Sequence, residues 1–231
     1  MLSFAKAKKL RSGENPAIWR GHLDALLPKQ GKDRARGPPR RTSLQQDVRL
    51  HARTACKKRG QGARTLEFTI LTGSRSGEVR GMRWREVDWA SGVWTIPAER
   101  MKGARTHRVP LSSRALELLN ELPKGVADEL VFPGERSGRP LSDMTLSAII
   151  KRLPPSSEWI DARSGKLATQ HGFRSSFRDR VAERTDYPHE MAEIALAHTI
   201  DNKVEAAYRR GDMLEKRREM MEAWCRWCAA K

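Results

Sequence analysis

The chain has 231 residues with 45 Lys and Arg against 28 Asp and Glu, a formal net charge of +17. That length allows one well-buried domain plus a smaller appendage, and the basic surplus favours a polyanionic partner, because Lys and Arg that neutralise phosphates release condensed counterions. No run of about 18 apolar residues occurs, and the start MLSFAKAKKL lacks an apolar stretch before a small-residue cleavage site, so no membrane role and a cytoplasmic location are expected. Three cysteines cannot all pair within one chain and are expected as free thiols, and without a P-loop pattern an ATP-driven motor is not indicated.

The charge is unevenly spread. Between Lys29 and Arg64 twelve Lys or Arg face only Asp33 and Asp47, so this stretch supplies +10 and the rest of the chain +7. Within it, DRARGPPRRTSLQQDVRLHARTACKKRG has much Arg and Pro, few large apolar residues and no sustained period. Such a segment buries little surface, and disorder or poor packing is expected.

From Thr65 onward, periodic segments alternate with turn signals. Leu66, Phe68, Ile70 and Leu71 predict a buried helix ended by Thr72-Gly73, and Glu78 to Trp84 predicts a second, with Arg75 at the junction. Val93 to Ile96 and His107 to Pro110 read as two strands of a hairpin whose loop carries Lys102-Gly103. Ser112 or Ser113 can cap a helix to about Leu122, and Leu130 to Phe132 form a short apolar run before Pro133-Gly134. Ser142 or Asp143 can cap another helix with Met144, Leu146, Ile149 and Ile150 on one side. Pro154 and Pro155 open a loop, after which Thr169 starts a helix carrying His171 and Arg174, three residues apart on one face. The last segment, from about Asp212, places Leu214, Met221, Trp224 and Cys228 at broadly helical spacing. Cys225 and Cys228 supply only two of the four ligands a structural zinc needs, so they read as helical neighbours on a buried face, and no metal is expected.

Six polar residues stand in recognisable surroundings: Arg75 in LTGSRSGEVRGMRW, Lys102 in ERMKGARTHRVPL, His171 and Arg174 in HGFRSSFRD, His198 in LAHT and Tyr208 in VEAAYRRGDMLEKRREMMEAW. Each alone has an ordinary reading: a solvated arginine, or a histidine capping a helix end. As an ordered set they resemble the active-site constellation of the tyrosine recombinases, the family of the phage integrases. The resemblance covers about residues 64 to 228 and implies a mainly α domain with a small antiparallel β-sheet.

The resemblance also implies a chemistry. A phosphodiester attacked without a metal needs positive charge around its non-bridging oxygens, and a guanidinium is a permanent planar fork matched to phosphate. Arg75 and Arg174 take that role, with His171 and His198 as further donors. Tyr208 is the nucleophile, forming a 3'-phosphotyrosyl bond that conserves the energy of the broken one. A tyrosine with an unperturbed pKa near ~10 needs a positive environment or a base, for which His171 is the candidate; Lys102 is the candidate acid at the departing 5'-oxygen. Glu78 matches an acidic family position and is read as orienting the site.

The implied activity is site-specific DNA recombination, integration or excision of a prophage or genomic island, by four protomers on double-stranded attachment sites, with accessory DNA-bending proteins as further partners and no cofactor. In the family such a C-terminal tail often docks on a neighbouring protomer; packing on its own core is the alternative. Residues 1–32 resemble the end of a core-binding domain and its connector, residues 33–63 form the basic irregular segment, and residues 64–231 form the catalytic domain. Most of the upstream domain is expected to be missing, and residues 33–60 to be either translated out of frame or a basic linker tracking DNA. Two other readings stay open: a catalytically inactive DNA-binding remnant of such an integrase, and a type IB topoisomerase.

Overall fold

The computed structural model describes residues 60–136, 138–152, 160–161, 166–198 and 211–229. Its centre is helix α1, Gln61–Thr72, buried from Thr65 to Thr72. A helix buried all round carries threonines only if their hydroxyls are satisfied, and here Thr65, Thr69 and Thr72 donate to the carbonyls of Gln61, Thr65 and Phe68, four residues back. α1 stops at Gly73, whose left-handed conformation (φ 62°) turns the chain while its N–H bonds the Ile70 carbonyl.

Two apolar clusters meet on α1. On one side Phe68 and Leu71 join helix α2 (Ser76–Arg80), a three-stranded antiparallel sheet and helix α3 (Ser113–Asn120). The sheet runs in the order β1 (Val87–Asp88), β2 (Val93–Ile96), β3 (His107–Pro110), with Trp94 opposite Val87 and Val109. β2 is the central strand, and Trp94 is fully buried. Pro110, which has no N–H to give, lies on an edge strand, where its loss to the ladder is least. The β2–β3 connection holds a turn of 3-10 helix, Ala98–Arg100, and then Lys102.

On the other side Leu66 and Ile70 join helices α4 (Thr145–Arg152), α5 (Gln170–Arg184), α6 (His189–Ala195) and α7 (Leu214–Ala229). A two-residue hairpin, β4 (Ile160–Asp161) with β5 (Lys166–Leu167), precedes α5. α5 begins as expected at Thr169, whose hydroxyl accepts the Gly172 N–H. α7 packs in cis: Met220, Met221, Trp224 and Trp227 enter the helical cluster, and the Trp224 indole donates to the Ile70 carbonyl at 2.9 Å. Cys225 faces the sheet-side cluster and Cys228 the helical one, both as buried thiols, so one helix edge closes both halves of the core.

The expected class, mainly α with a small antiparallel sheet, is the observed one. Three expectations need correction. The second helix is α2, ending before Gly81, and Trp84 starts a 3-10 turn because its N–H bonds Glu129 across the fold. Met144 precedes α4 and is 64% exposed, away from Leu146 and Ile150. A third strand, β1, joins the hairpin. Residues 1–59, with the upstream remnant and most of the basic segment, lie outside the described residues, as does Tyr208.

Trp224 is the side chain that most directly ties α7 to α1. Trp224→Ala removes the indole and its hydrogen bond and is expected to cost about 3–5 kcal/mol of stability, read as a lowered urea midpoint.

Candidate active site

The structure brings Arg75, His171, Arg174 and His198 together where the C-terminal ends of α1 and α6 approach the first turns of α2 and α5. A helix leaves its last carbonyls without partners inside the helix, and they carry the negative end of its dipole. α6 resolves this in two ways. The Ala197 N–H bonds Ile194 and the His198 N–H bonds Glu193, a paired 5→2 and 6→1 closure with Ala197 in the left-handed region (φ 48°). The carbonyls that then point outward take side-chain donors: Ala195 from His107 Nε2 at 3.2 Å, Leu196 from Arg174 at 2.6 Å and Ala197 from Arg75 at 3.3 Å.

Arg174 is 3% exposed. Its second terminal nitrogen donates to Gly73 at the end of α1, so one guanidinium joins two helix ends. Burial first, and then the neighbouring charge of Arg75, lower its pKa to about 10, partly offset by Glu78 and Glu193; it stays charged at neutral pH. Arg75 reaches solvent more. Its guanidinium donates to Glu78 Oε1 at 2.7 Å and its own N–H to Glu78 Oε2 at 2.8 Å, so the buried Glu78 carboxylate fixes both the side chain and the start of α2. Glu78 thus holds the Arg75 guanidinium and its backbone N–H together. A further brace follows: Arg100 donates to the Glu78 carbonyl at 3.1 Å and to Glu86 at 2.6 Å, and Glu86 accepts the Trp94 indole N–H at 2.9 Å.

His198 is half-buried. Its Nε2 faces an Arg174 nitrogen at 3.3 Å and its Nδ1 lies 2.6 Å from Glu193 Oε2, which assigns the Nδ1 proton and leaves Nε2 as acceptor. Burial, then Arg174 and Arg75, hold its pKa below the ordinary value against the raising effect of Glu193. His171 is exposed in the first turn of α5; partial burial of its ring, then Arg174 and Arg75, lower its pKa as well. Lys102 is exposed on the connection between β2 and β3. Among these six candidates only Tyr208 falls outside the described residues.

Glu193 and His107 were not singled out in the sequence. A glutamate in a short polar helix reads as a solvated charge, and a histidine at the start of a strand carries no signal of its own. His107 is held neutral: burial first, then Arg217, push its pKa down to about 4, although Glu78 and its bond to Ala195 act the other way. A depressed histidine pKa contributes stability that is fully present above the unfolded value near ~6.5 and is lost as the pH falls through the folded value. Stability is therefore expected to drop by about 3 kcal/mol between pH 6.5 and 4 from this residue alone. Urea unfolding at several pH values should show a shallower loss in His107→Gln than in the parent chain.

Residues 44–215 match the Phage integrase family. The chain is 38% identical over 159 residues to prophage integrase IntA of Escherichia coli K12, covering 68% of this chain and 36% of that protein. It is 33% identical over 171 residues to the integrase of Shigella phage Sf6, covering 73% of this chain and 41% of that one. The chain thus spans about two fifths of the length of the curated relatives it matches. Among solved structures its fold resembles the integrase from mycobacterium phage Brujita, with TM-score 0.56 and 20% identity over 99% of this chain and 73% of that one. It also resembles a lambda integrase tetramer bound to a Holliday junction, with TM-score 0.51 and 22% identity over 87% of this chain and 56% of that one. With a family match over most of its length, the chain belongs to the phage integrase family.

Proposed function

We propose that the chain is the catalytic part of a site-specific DNA recombinase that cleaves and rejoins DNA through a 3'-phosphotyrosyl intermediate, serving integration or excision of a prophage or genomic island. The observation that carries this reading is the convergence of Arg75 and Arg174, two guanidiniums near enough for one to depress the other's pKa. Arg75, Arg174 and Arg178 face Glu78 and Glu193 there, which leaves a positive surplus. A bound phosphodiester relieves the repulsion between the arginines and gains charge-assisted hydrogen bonds.

In this scheme the Tyr208 oxygen attacks phosphorus, a P–O bond to tyrosine forms and the bond to the 5'-oxygen breaks. His171 accepts the phenolic proton; its depressed pKa keeps the ring unprotonated at neutral pH, the state a proton acceptor needs. Lys102 gives a proton to the departing 5'-oxygen, a role for which an exposed ammonium on a loop is suited. Attack of that hydroxyl on the phosphotyrosine reverses each step. Arg75, Arg174 and His198 bind and stabilise the non-bridging oxygens. The substrate is a double-stranded attachment site. Lambda integrase is solved as a tetramer on a Holliday junction, which supports four protomers as the working unit, and accessory DNA-bending proteins complete the assembly.

The alternative reading is a DNA-binding remnant without activity. A nicked suicide duplex carrying a candidate attachment site separates the two. The expected result is a denaturation-resistant protein–DNA adduct that is lost in Tyr208→Phe; DNA binding without any adduct would support the remnant. Arg174→Lys is expected to lower the adduct rate at least ~100-fold, since a single ammonium cannot reproduce the planar fork.

A further inference from the structure

We propose that Glu193 is a positioning residue for His198, locking its ring orientation and tautomer so that Nε2 is directed at the phosphate-binding arginines. The inference rests on the recombinase reading above, which it deepens by one residue.

Glu193 holds His198 at two points. Its carbonyl accepts the His198 backbone N–H at 3.0 Å, and its carboxylate stands 2.6 Å from Nδ1. The backbone bond belongs to the closure that ends α6, so the direction in which His198 leaves the helix is set by the same residue that grips its ring. With Nδ1 committed to a carboxylate, rotation of the ring and exchange of the proton to Nε2 both require that bond to break. What remains is Nε2, 3.3 Å from Arg174.

The carboxylate is itself fixed from the other side. Arg178 Nε lies 2.5 Å from Glu193 Oε1, and His189 Nε2 lies 3.5 Å from the same oxygen. Arg178 follows Arg174 by one turn of α5, so the two arginines share a face of one helix, one holding the His198 ring through Glu193 and the other meeting its free nitrogen. His198, placed on a chain segment beyond α6, is thereby referenced to α5, which also carries His171. This is the logic by which a buried carboxylate holds an imidazole in one tautomer for its reaction partner. When a phosphate oxygen comes within reach of Nε2, the ring takes up a proton from solvent, the new Nε2–H donates to that oxygen, and Glu193 supplies the counter-charge of the imidazolium.

The tautomer can be read without any reaction. In the full chain labelled with 15N-histidine, the His198 resonances, assigned by their loss in His198→Ala, are expected to show a protonated Nδ1 and an unprotonated Nε2 at pH 8; a ring protonated on Nε2 would overturn the proposal. The second arm measures the adduct rate on the suicide duplex with protein in excess. Glu193→Ala is expected to slow adduct formation roughly 10–100-fold, by analogy with the loss found when a metal-bound histidine is deprived of its carboxylate partner, with DNA affinity within about threefold. In a His198→Ala background the same substitution is expected to change nothing further; an additive loss there would show that Glu193 acts through the fold and not through His198. A Tyr208-dependent adduct formed equally fast in Glu193→Ala would sink this proposal alone. Absence of any Tyr208-dependent adduct from the parent chain would bring down the recombinase reading and this one with it.

Discussion

The buried guanidinium of Arg174 is the constraint on which the rest of the site depends. A buried arginine is costly unless its donors are met, and here the two terminal nitrogens donate to main-chain carbonyls at the ends of two helices, Gly73 after α1 and Leu196 after α6, while Nε has no partner among the described residues. Neither carbonyl belongs to a regular ladder. Each becomes available only because its helix ends in a left-handed residue, Gly73 at φ 62° and Ala197 at φ 48°. Hydrogen bonds to a charged donor contribute more than neutral ones, about 1.5–3 kcal/mol each. The arginine therefore holds helix ends together as part of the structure, and the same contacts fix its plane before any ligand arrives. Such preorganisation is what electrostatic stabilisation of a developing charge requires.

The placement of α1 follows from this. Because it is shared by both apolar clusters, a shift of α1 would move Gly73 and the turn that carries Arg75 together. Trp224 fastens α7 to the Ile70 carbonyl, the same group that accepts the Gly73 N–H. On the sheet side the chain from Trp94 through Glu86 and Arg100 to the Glu78 carbonyl ties the central strand to α2. A core of tryptophan and aliphatic side chains thus positions the helix ends that hold the two arginines.

Much of this arrangement was legible in the sequence, and the pattern of success has a physical basis. The end of α1 was readable because Thr72-Gly73 is a local signal, and the spacing of His171 and Arg174 because a helix puts residues three apart on one face. What could not be read depends on contacts between distant segments. Gly81 ends α2 four residues earlier than the apolar pattern suggested, because the Trp84 N–H donates to the Glu129 carbonyl instead of extending the helix. Met144 matches the apolar side of α4 by periodicity but falls before its first turn, where the period has no meaning. Glu193 and His107 are ordinary letters until α6 is brought against β3 and α5.

His107 shows how a residue outside the constellation shares its electrostatics. It bonds Ala195, the carbonyl immediately before the two that hold Arg174 and Arg75, so three consecutive carbonyls of one helix end are occupied by three basic side chains from three elements. If all three carried charge, mutual repulsion would compete with the helix dipole that attracts them. Burial and the nearby Arg217 remove the charge from the one side chain that can lose it. The neutral imidazole still donates its Nε2 proton, so the Ala195 carbonyl is satisfied while the positive field stays with the two guanidiniums. Restricting charge to groups that cannot be deprotonated under ordinary conditions keeps the field at this helix end constant across neutral pH, and an anion arriving there meets the same two cations each time.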